Sequence, residues 1–210
     1  MKEHPLLCNE RTVKAILAGT QTQDRRPVVP QPRGRVISYG NWQSQDDGVY
    51  RWMYQSPEEI EPGFVFNSTN YFGNGLSPWQ PGDHLYVRET WAYSADCEHY
   101  NHLHGENKIL YRADNPVCIF KWRPSIHMPK WASRITIEVL SVRVERVQDI
   151  SEKDAIAEGV NPMTWINHPE KEPVYRVMFW SLWDSLYAQK GYGWTANPWV
   201  WATEFRVLKK

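Results

Sequence analysis

Hydrophobic and polar positions recur along this chain with two periods, and the changes of period locate its elements. Val13, Ile16 and Leu17 fall at helical spacing after Asn9, a good N-cap, and Gly19 follows where a helix would stop. A short amphipathic helix is expected over residues 10–18. The tract TQTQDRRPVVPQPRGR comes next, and Pro27, Pro30 and Pro32 are expected to end regular structure there. HLYVRETW (84–91) alternates, with Leu85 and Val87 on one face, and KILYRAD reads as another short strand. Residues 131–148 carry the strongest strand pattern, but Ile135, Ile137 and Val139 share one parity while Leu140, Val142 and Val144 share the other. One strand cannot bury both sets on one face, so a bulge or corner is expected near Val139–Ser141.

The C-terminal third returns to helical spacing. Ser151 followed by Asp154 signals a capped short helix ending at Gly159. Phe179, Leu182, Trp183 and Leu186 define a longer helix over about 173–188, which Gly191 can terminate. The chain closes with the strand PWVWATEFRVL, in which Trp199, Trp201, Phe205 and Val207 share one parity. The sum is an α+β fold: a small, curved, mostly antiparallel sheet with a few short helices. Two irregular stretches, about 40–80 and 94–120, read as insertions in a single domain spanning 1–210.

Composition narrows the function classes. The 210 residues hold 24 Lys+Arg against 24 Asp+Glu, so a protein that holds nucleic acid by bulk charge is excluded, while a local basic site is not. Three cysteines are too few and too odd a number for a disulfide framework, which fits a reducing compartment. The opening residues lack an apolar signal core, and no run approaches membrane-spanning length, so a cytoplasmic protein with no membrane partner is expected. Twelve tryptophans and eleven tyrosines supply flat apolar surface, most of it for the core.

Four segments are candidates for chemistry. Gly19 to Arg35 holds Arg25, Arg26, Arg33 and Arg35 against Asp24 alone, and guanidinium forks suit phosphate oxygens. Residues 97–104 hold Cys97, His99, His102 and His104. Their spacing matches no common zinc knuckle, so an exposed polar loop is expected, with no metal and no cofactor. Residues 120–134 project Trp122, Arg123, His127, Trp131 and Arg134 from a proline-pinned segment, which is either a base-stacking edge or a packing segment. Asp24, Glu89 and Glu158 are separated acids. Glu158 stands at a helix C-terminus, where the helix dipole gives a carboxylate no support.

The ordered blocks ILAGTQTQDRRPV, PGDHLYVRETW, RPSIHMPKWASRITIEV, QDISEKDAIAEGV and NPWVWATEFRVL resemble the ASCH domain family of the PUA-like superfamily. They are most similar to its phage- and prophage-encoded branch, often labelled morphogenetic. The resemblance implies a PUA-like β-barrel and a cleft that handles RNA or a nucleobase. In that family the pattern G-x-K-T-x-T-x-R follows the first helix. Its lysine, its second threonine and a later glutamate act in members that hydrolyse N4-acylated cytidine. Gly19, Thr22 and Arg26 match the pattern, and Glu158 falls at the glutamate position. Gln21 replaces the lysine and Asp24 the second threonine. Glutamine has no proton to exchange near neutral pH, which leaves Asp24 and Glu158 as a pair of carboxylates able to activate water.

The resemblance therefore implies a protein that binds RNA or a modified nucleobase, with Arg25, Arg26 and Arg88 on phosphate and Trp91 or Trp131 stacked on a base. The alternative is a hydrolase, a ribonuclease or an acylcytidine amidohydrolase, with Glu158 and Asp24 as acid and base and Arg26 and His127 stabilising charge. A second alternative is a non-catalytic phage accessory protein whose partner is a host or phage protein. Each places the chain in the cytoplasm of a bacterial host.

Overall fold

The computed structural model describes residues 2–29, 31, 79–94, 108–114, 121–160 and 174–209, together with the backbone of four two-residue strands in the first insertion. The strands are β1 (Glu3–Leu7), β2 (Gln23–Pro27), β3 (Arg35–Val36), β4 (Trp42–Gln43), β5 (Tyr50–Arg51), β6 (Tyr54–Gln55), β7 (His84–Arg88), β8 (Trp91–Tyr93), β9 (Ile109–Tyr111), β10 (Thr136–Arg146) and β11 (Trp199–Lys209). The helices are α1 (Glu10–Ala18), α2 (Glu152–Ala157) and α3 (Val174–Tyr187). Five strands form one mixed sheet in the order β1-β7-β10-β11-β2, and β3-β6, β4-β5 and β8-β9 form three small pairs. The fold is mixed α+β. β1 runs parallel to β7, whereas β7–β10 and β11–β2 are antiparallel.

The chain divides into two compact units. The first comprises Met1–Thr22, Gly82–Val139 and Phe205–Lys210, and the second Gln23–Pro81 and Leu140–Glu204. Strands β10 and β11 pass through both. Among the described residues no helix is long and apolar enough to cross a membrane.

In the first unit, the Asn9 side chain accepts from the Thr12 amide at 2.9 Å and caps α1, which buries Val13 and Ile16. Gly19 ends the helix in the left-handed region at φ 74°, where a Cβ would be strained. β7 buries Leu85 and Val87 as the alternation predicts, but stops at Arg88, and a separate strand, β8, begins at Trp91. β1 is an element that the pattern did not predict. Its five residues contain Pro5 and bury one side chain fully, Leu6, so alternation there is weak.

In the second unit, Val147, Ile150, Ala155, Val160, Phe179, Trp183 and Val200 form a core. The Ser151 hydroxyl accepts from the Asp154 amide at 3.1 Å and caps α2. α3 presents Phe179 and Trp183 to the core, whereas Leu186, expected on the same stripe, is exposed. Gly191 at φ 82° closes the 3-10 turn Ala188–Lys190 that follows α3, rather than the helix itself.

The parity change in β10 is present. Ile137 and Val139 are buried, Leu140 and Ser141 are not, and Val142 and Val144 are buried again. Leu140 faces solvent as one of the two residues at the switch. The closing strand departs from expectation in the other direction: every residue from Trp199 to Thr203 is buried, as in a strand covered on both faces.

Candidate functional site

The tract expected to lack regular structure contains β2, whose inward face is polar. Alternation buries Gln23 and Arg25 and leaves Asp24 and Arg26 half-buried on the opposite face. The Arg25 side chain is sealed from solvent and its guanidinium is surrounded by acids. Nε donates to Glu145 Oε1 at 2.8 Å and Nη1 donates to Glu158 Oε1 at 2.8 Å and to Gln23 Oε1 at 2.9 Å. Asp154 Oδ2 lies 3.4 Å from Nη2. Arg143 extends the network to Glu145, Asp154 and Glu204 at 2.9, 3.1 and 3.2 Å. Gln23 donates to Asp154 and Glu204 at 2.9 and 3.1 Å.

This arrangement corrects the reading of Arg25 as a phosphate ligand. Its donors are committed to interior carboxylates, and withdrawing them would leave buried charge uncompensated. Burial works against the Arg25 charge, but Glu158 and Glu145 outweigh it and hold its pKa above the ordinary arginine value. Burial likewise pushes Asp154 up, and the Gln23 amide with the Arg25 and Arg143 charges brings it below the usual range.

Glu158 is the C-cap of α2 and is 5 % exposed. Its carboxyl is pushed up to about 7, mainly by burial; Arg25 opposes the shift and Asp24 adds to it. Asp24 accepts from Arg26 Nε at 2.6 Å, and the Arg26 guanidinium lies 5.6 Å from the ring centroid of buried Trp79. Tyr187 belongs to the same cluster. Burial first, and then Asp24 and Glu158 against Arg26, push its hydroxyl up to about 12. In the second unit Glu158 thus contacts Arg25 directly and is influenced electrostatically by Asp24, while Tyr187 is influenced by Asp24, Arg26 and Glu158, and Arg26 lies against Trp79. Gln21, at the lysine position of the family pattern, belongs to the first unit, where it is buried and its backbone N–H donates to the Ala15 carbonyl at 3.2 Å.

The first unit has a different concentration of chemistry. Trp91 is buried with Met128 and Ala132, and Tyr93, Ile109 and Tyr111 pack against them. Burial removes Trp91 from the candidates for base stacking. Trp131 remains, 64 % exposed, stacked on Tyr93 at 6.2 Å and 25° and edge-on to Trp91. The Arg123 guanidinium lies 4.9 Å from the Trp91 centroid and 4.7 Å from that of Tyr93. His127 is exposed on a single 3-10 turn, and Arg88 donates to the carbonyl of Ile126. Arg134 forks onto buried Glu89 at 2.9 and 3.1 Å and onto Asp114 at 2.6 and 3.0 Å. Burial raises Glu89 despite this arginine.

Among the described residues no group of three or more His, Cys, Asp or Glu side chains is placed to hold a metal ion. Cys97, His99, His102 and His104 lie outside the described residues, as do Arg33 and most of both insertions. Sequence reasoning missed Gln23, Glu145 and Asp154 as partners of Arg25, Glu204 as a partner of Gln23 and Arg143, and Tyr93, Trp79 and Tyr187 as neighbours of the candidate residues. One signal was present: Arg143 and Glu145 stand two apart on the polar face of the strongest strand.

No family model matches the chain, and no curated protein does. Among solved structures the chain is similar to the ASCH domain from Lactobacillus crispatus JV V101, at 12% identity and a TM-score of 0.38, covering 100% of this chain and 81% of that one. A likeness of that degree leaves the family to be argued from the residues.

Proposed function

We propose that this chain is an ASCH-domain protein of the PUA-like superfamily, of the phage and prophage branch, that binds RNA or a modified nucleobase in the cytoplasm of a bacterial host. The five ordered sequence blocks support the family, and with it a PUA-like barrel closing around a cleft. The observation that carries the function is the cluster around Glu158. A nucleobase edge is read by neighbouring donors and acceptors beside a flat face. Arg26 donates and Asp24 accepts, half-buried on the outward face of β2, backed by the buried Trp79 ring against which Arg26 is set and by the buried Glu158 carboxyl, whose pKa burial raises and Asp24 raises further. Arg26, on the outward face of β2, keeps the phosphate role that Arg25 loses.

Calorimetric titration with a short RNA, with and without one N4-acetylcytidine, tests the reading. Saturable binding that Arg26→Ala weakens about tenfold is expected, the weight of one good charge-assisted contact. No binding of either RNA overturns it.

One feature favours a hydrolase as the second reading: Glu158 is a buried carboxyl whose pKa is raised by burial and raised further by the Asp24 charge. In that role Asp24 takes a proton from water as its oxygen attacks the acyl carbon. Glu158, entering protonated, delivers its proton to the departing N4 nitrogen, giving the free acid and cytosine. Intact mass spectrometry of the N4-acetylcytidine RNA after incubation decides it. Loss of the acetyl group, abolished in Glu158→Gln, supports an amidohydrolase, and shorter fragments support a ribonuclease. An unchanged oligonucleotide leaves binding alone.

A further inference from the structure

The exposed aromatic face of the first unit shares no residue with the Glu158 cluster and stands independently of it. We propose that Trp131, stacked on Tyr93, is the landing site for an unpaired base of a single-stranded nucleic acid.

A tryptophan 64 % exposed forgoes most of the stabilisation its burial would bring, although buried Trp91, Met128 and Ala132 lie beside it. The ring is held in place from beneath. It is the middle residue of the 3-10 turn Lys130–Ala132, and the Ala132 carbonyl of that turn accepts from the Tyr111 hydroxyl at 2.9 Å. The Tyr111 ring in turn lies 4.0 Å from the Arg134 guanidinium, which is clamped by buried Glu89. The Trp91 and Arg123 backbones exchange hydrogen bonds at 3.2 and 2.8 Å, and this sets the Arg123 charge against the Tyr93 ring that Trp131 covers. A surface ordered in advance binds without a large entropic cost.

Charge selects the occupant. Residues 121–134 carry Lys121, Arg123, Lys130 and Arg134; Glu3 offsets Lys130, and Glu89 with Asp114 offsets Arg134, so the cation set against the platform is Arg123, over the Tyr93 ring on which Trp131 stacks, and it complements a phosphodiester rather than a basic peptide. A duplex keeps its base faces stacked internally, so a protruding indole receives a base only from a strand whose bases are unpaired.

Fluorescence anisotropy with a labelled uridine oligomer of about 12 nucleotides tests this, comparing the wild type with Trp131→Ala and Trp131→Phe. Trp131→Ala is expected to weaken binding about tenfold, Trp131→Phe to stay within about threefold, and a duplex of equal length to be indifferent to both. An unchanged thermal transition in Trp131→Ala shows that the loss is one of contact. Wild-type and Trp131→Ala affinities within about twofold of each other overturn the proposal, as does an equal loss on the duplex. Capture of a protein through Trp131, with RNA affinity unchanged, overturns it in favour of a protein-docking face. Arg26→Ala separates the two ideas. If it alone weakens binding, the platform falls and the proposed function stands; if Trp131→Ala alone does, the platform stands and the Glu158 cluster loses its role.

Discussion

In the second unit an arginine is sealed among acids, and Asp24 and Arg26 lie half-buried on the opposite face of its strand. In the first unit an arginine clamped between Glu89 and Asp114 lies under a tyrosine whose hydroxyl braces an exposed turn, and the outward member is a bare indole. The same pairing of guanidinium and carboxylate serves opposite ends. One buries a guanidinium among carboxylates, where burial holds the Glu158 carboxyl well above its usual range; the other uses charge as scaffolding for an apolar face. Substitutions in the first network should therefore register as stability and pH dependence, and those on the indole as lost affinity with stability intact.

The largest effect separating the two is expected from Arg25→Met, which strips the counter-charge from Glu145, Asp154 and Glu158 together. A loss of about 3–5 kcal/mol is expected in urea unfolding. A loss below about 1 kcal/mol would break the contrast by showing that the acids are hydrated after all.

Next in size is the titration of Glu158. Its carboxyl, ordinarily near 4.5, is raised to about 7 in the folded protein, so the folded state holds a proton that the unfolded state has already released. Stability from this group is complete below pH 4.5 and lost as pH rises through 7, by up to about 3 kcal/mol. Glu158→Gln should remove that slope from melting temperatures measured between pH 5 and 8 while keeping an acceptor for Arg25. A slope that persists in the variant assigns the titration elsewhere.

Smaller, and equal in the two units, are the helix caps. Asn9→Ala and Ser151→Ala should each cost about 1 kcal/mol, because a cap is a local matter whatever network surrounds it. Markedly unequal losses by denaturant titration would show that the units differ in more than their charges. The smallest effect on stability is expected from Trp131→Ala, within about 0.5 kcal/mol, since the ring it removes is mostly exposed.

The contrast between the units also explains what was legible in the sequence. α1, α2, the start of β7 and the parity change in β10 rest on apolar periodicity and capping residues, which are local signals, and they stand where the pattern placed them, although β7 ends at Arg88 rather than Trp91. β2 was not legible, because its buried face is Gln23 and Arg25 and its last residue is Pro27, a composition that reads as loop. What makes it a strand is antiparallel pairing with β11 and the acids brought to Arg25 from 120 and 133 positions away. The same non-locality hid the role of Arg25, whose neighbours in sequence suggest a basic surface loop. Glu158 and Trp131 were legible as candidates for a reason that survives folding. Each is chemically out of place, a carboxylate at a helix C-terminus and an indole in a proline-pinned turn.

The most direct test of the central claim, that this fold serves nucleic acid, is the salt dependence of RNA binding by the wild type and Arg26→Ala. Affinity should fall as salt rises, and the variant should bind more weakly across sequences with its logarithmic slope flatter by about 0.7, the share of one phosphate contact on a single strand. Absence of binding at low salt, or identical slopes for the two proteins, would contradict the account.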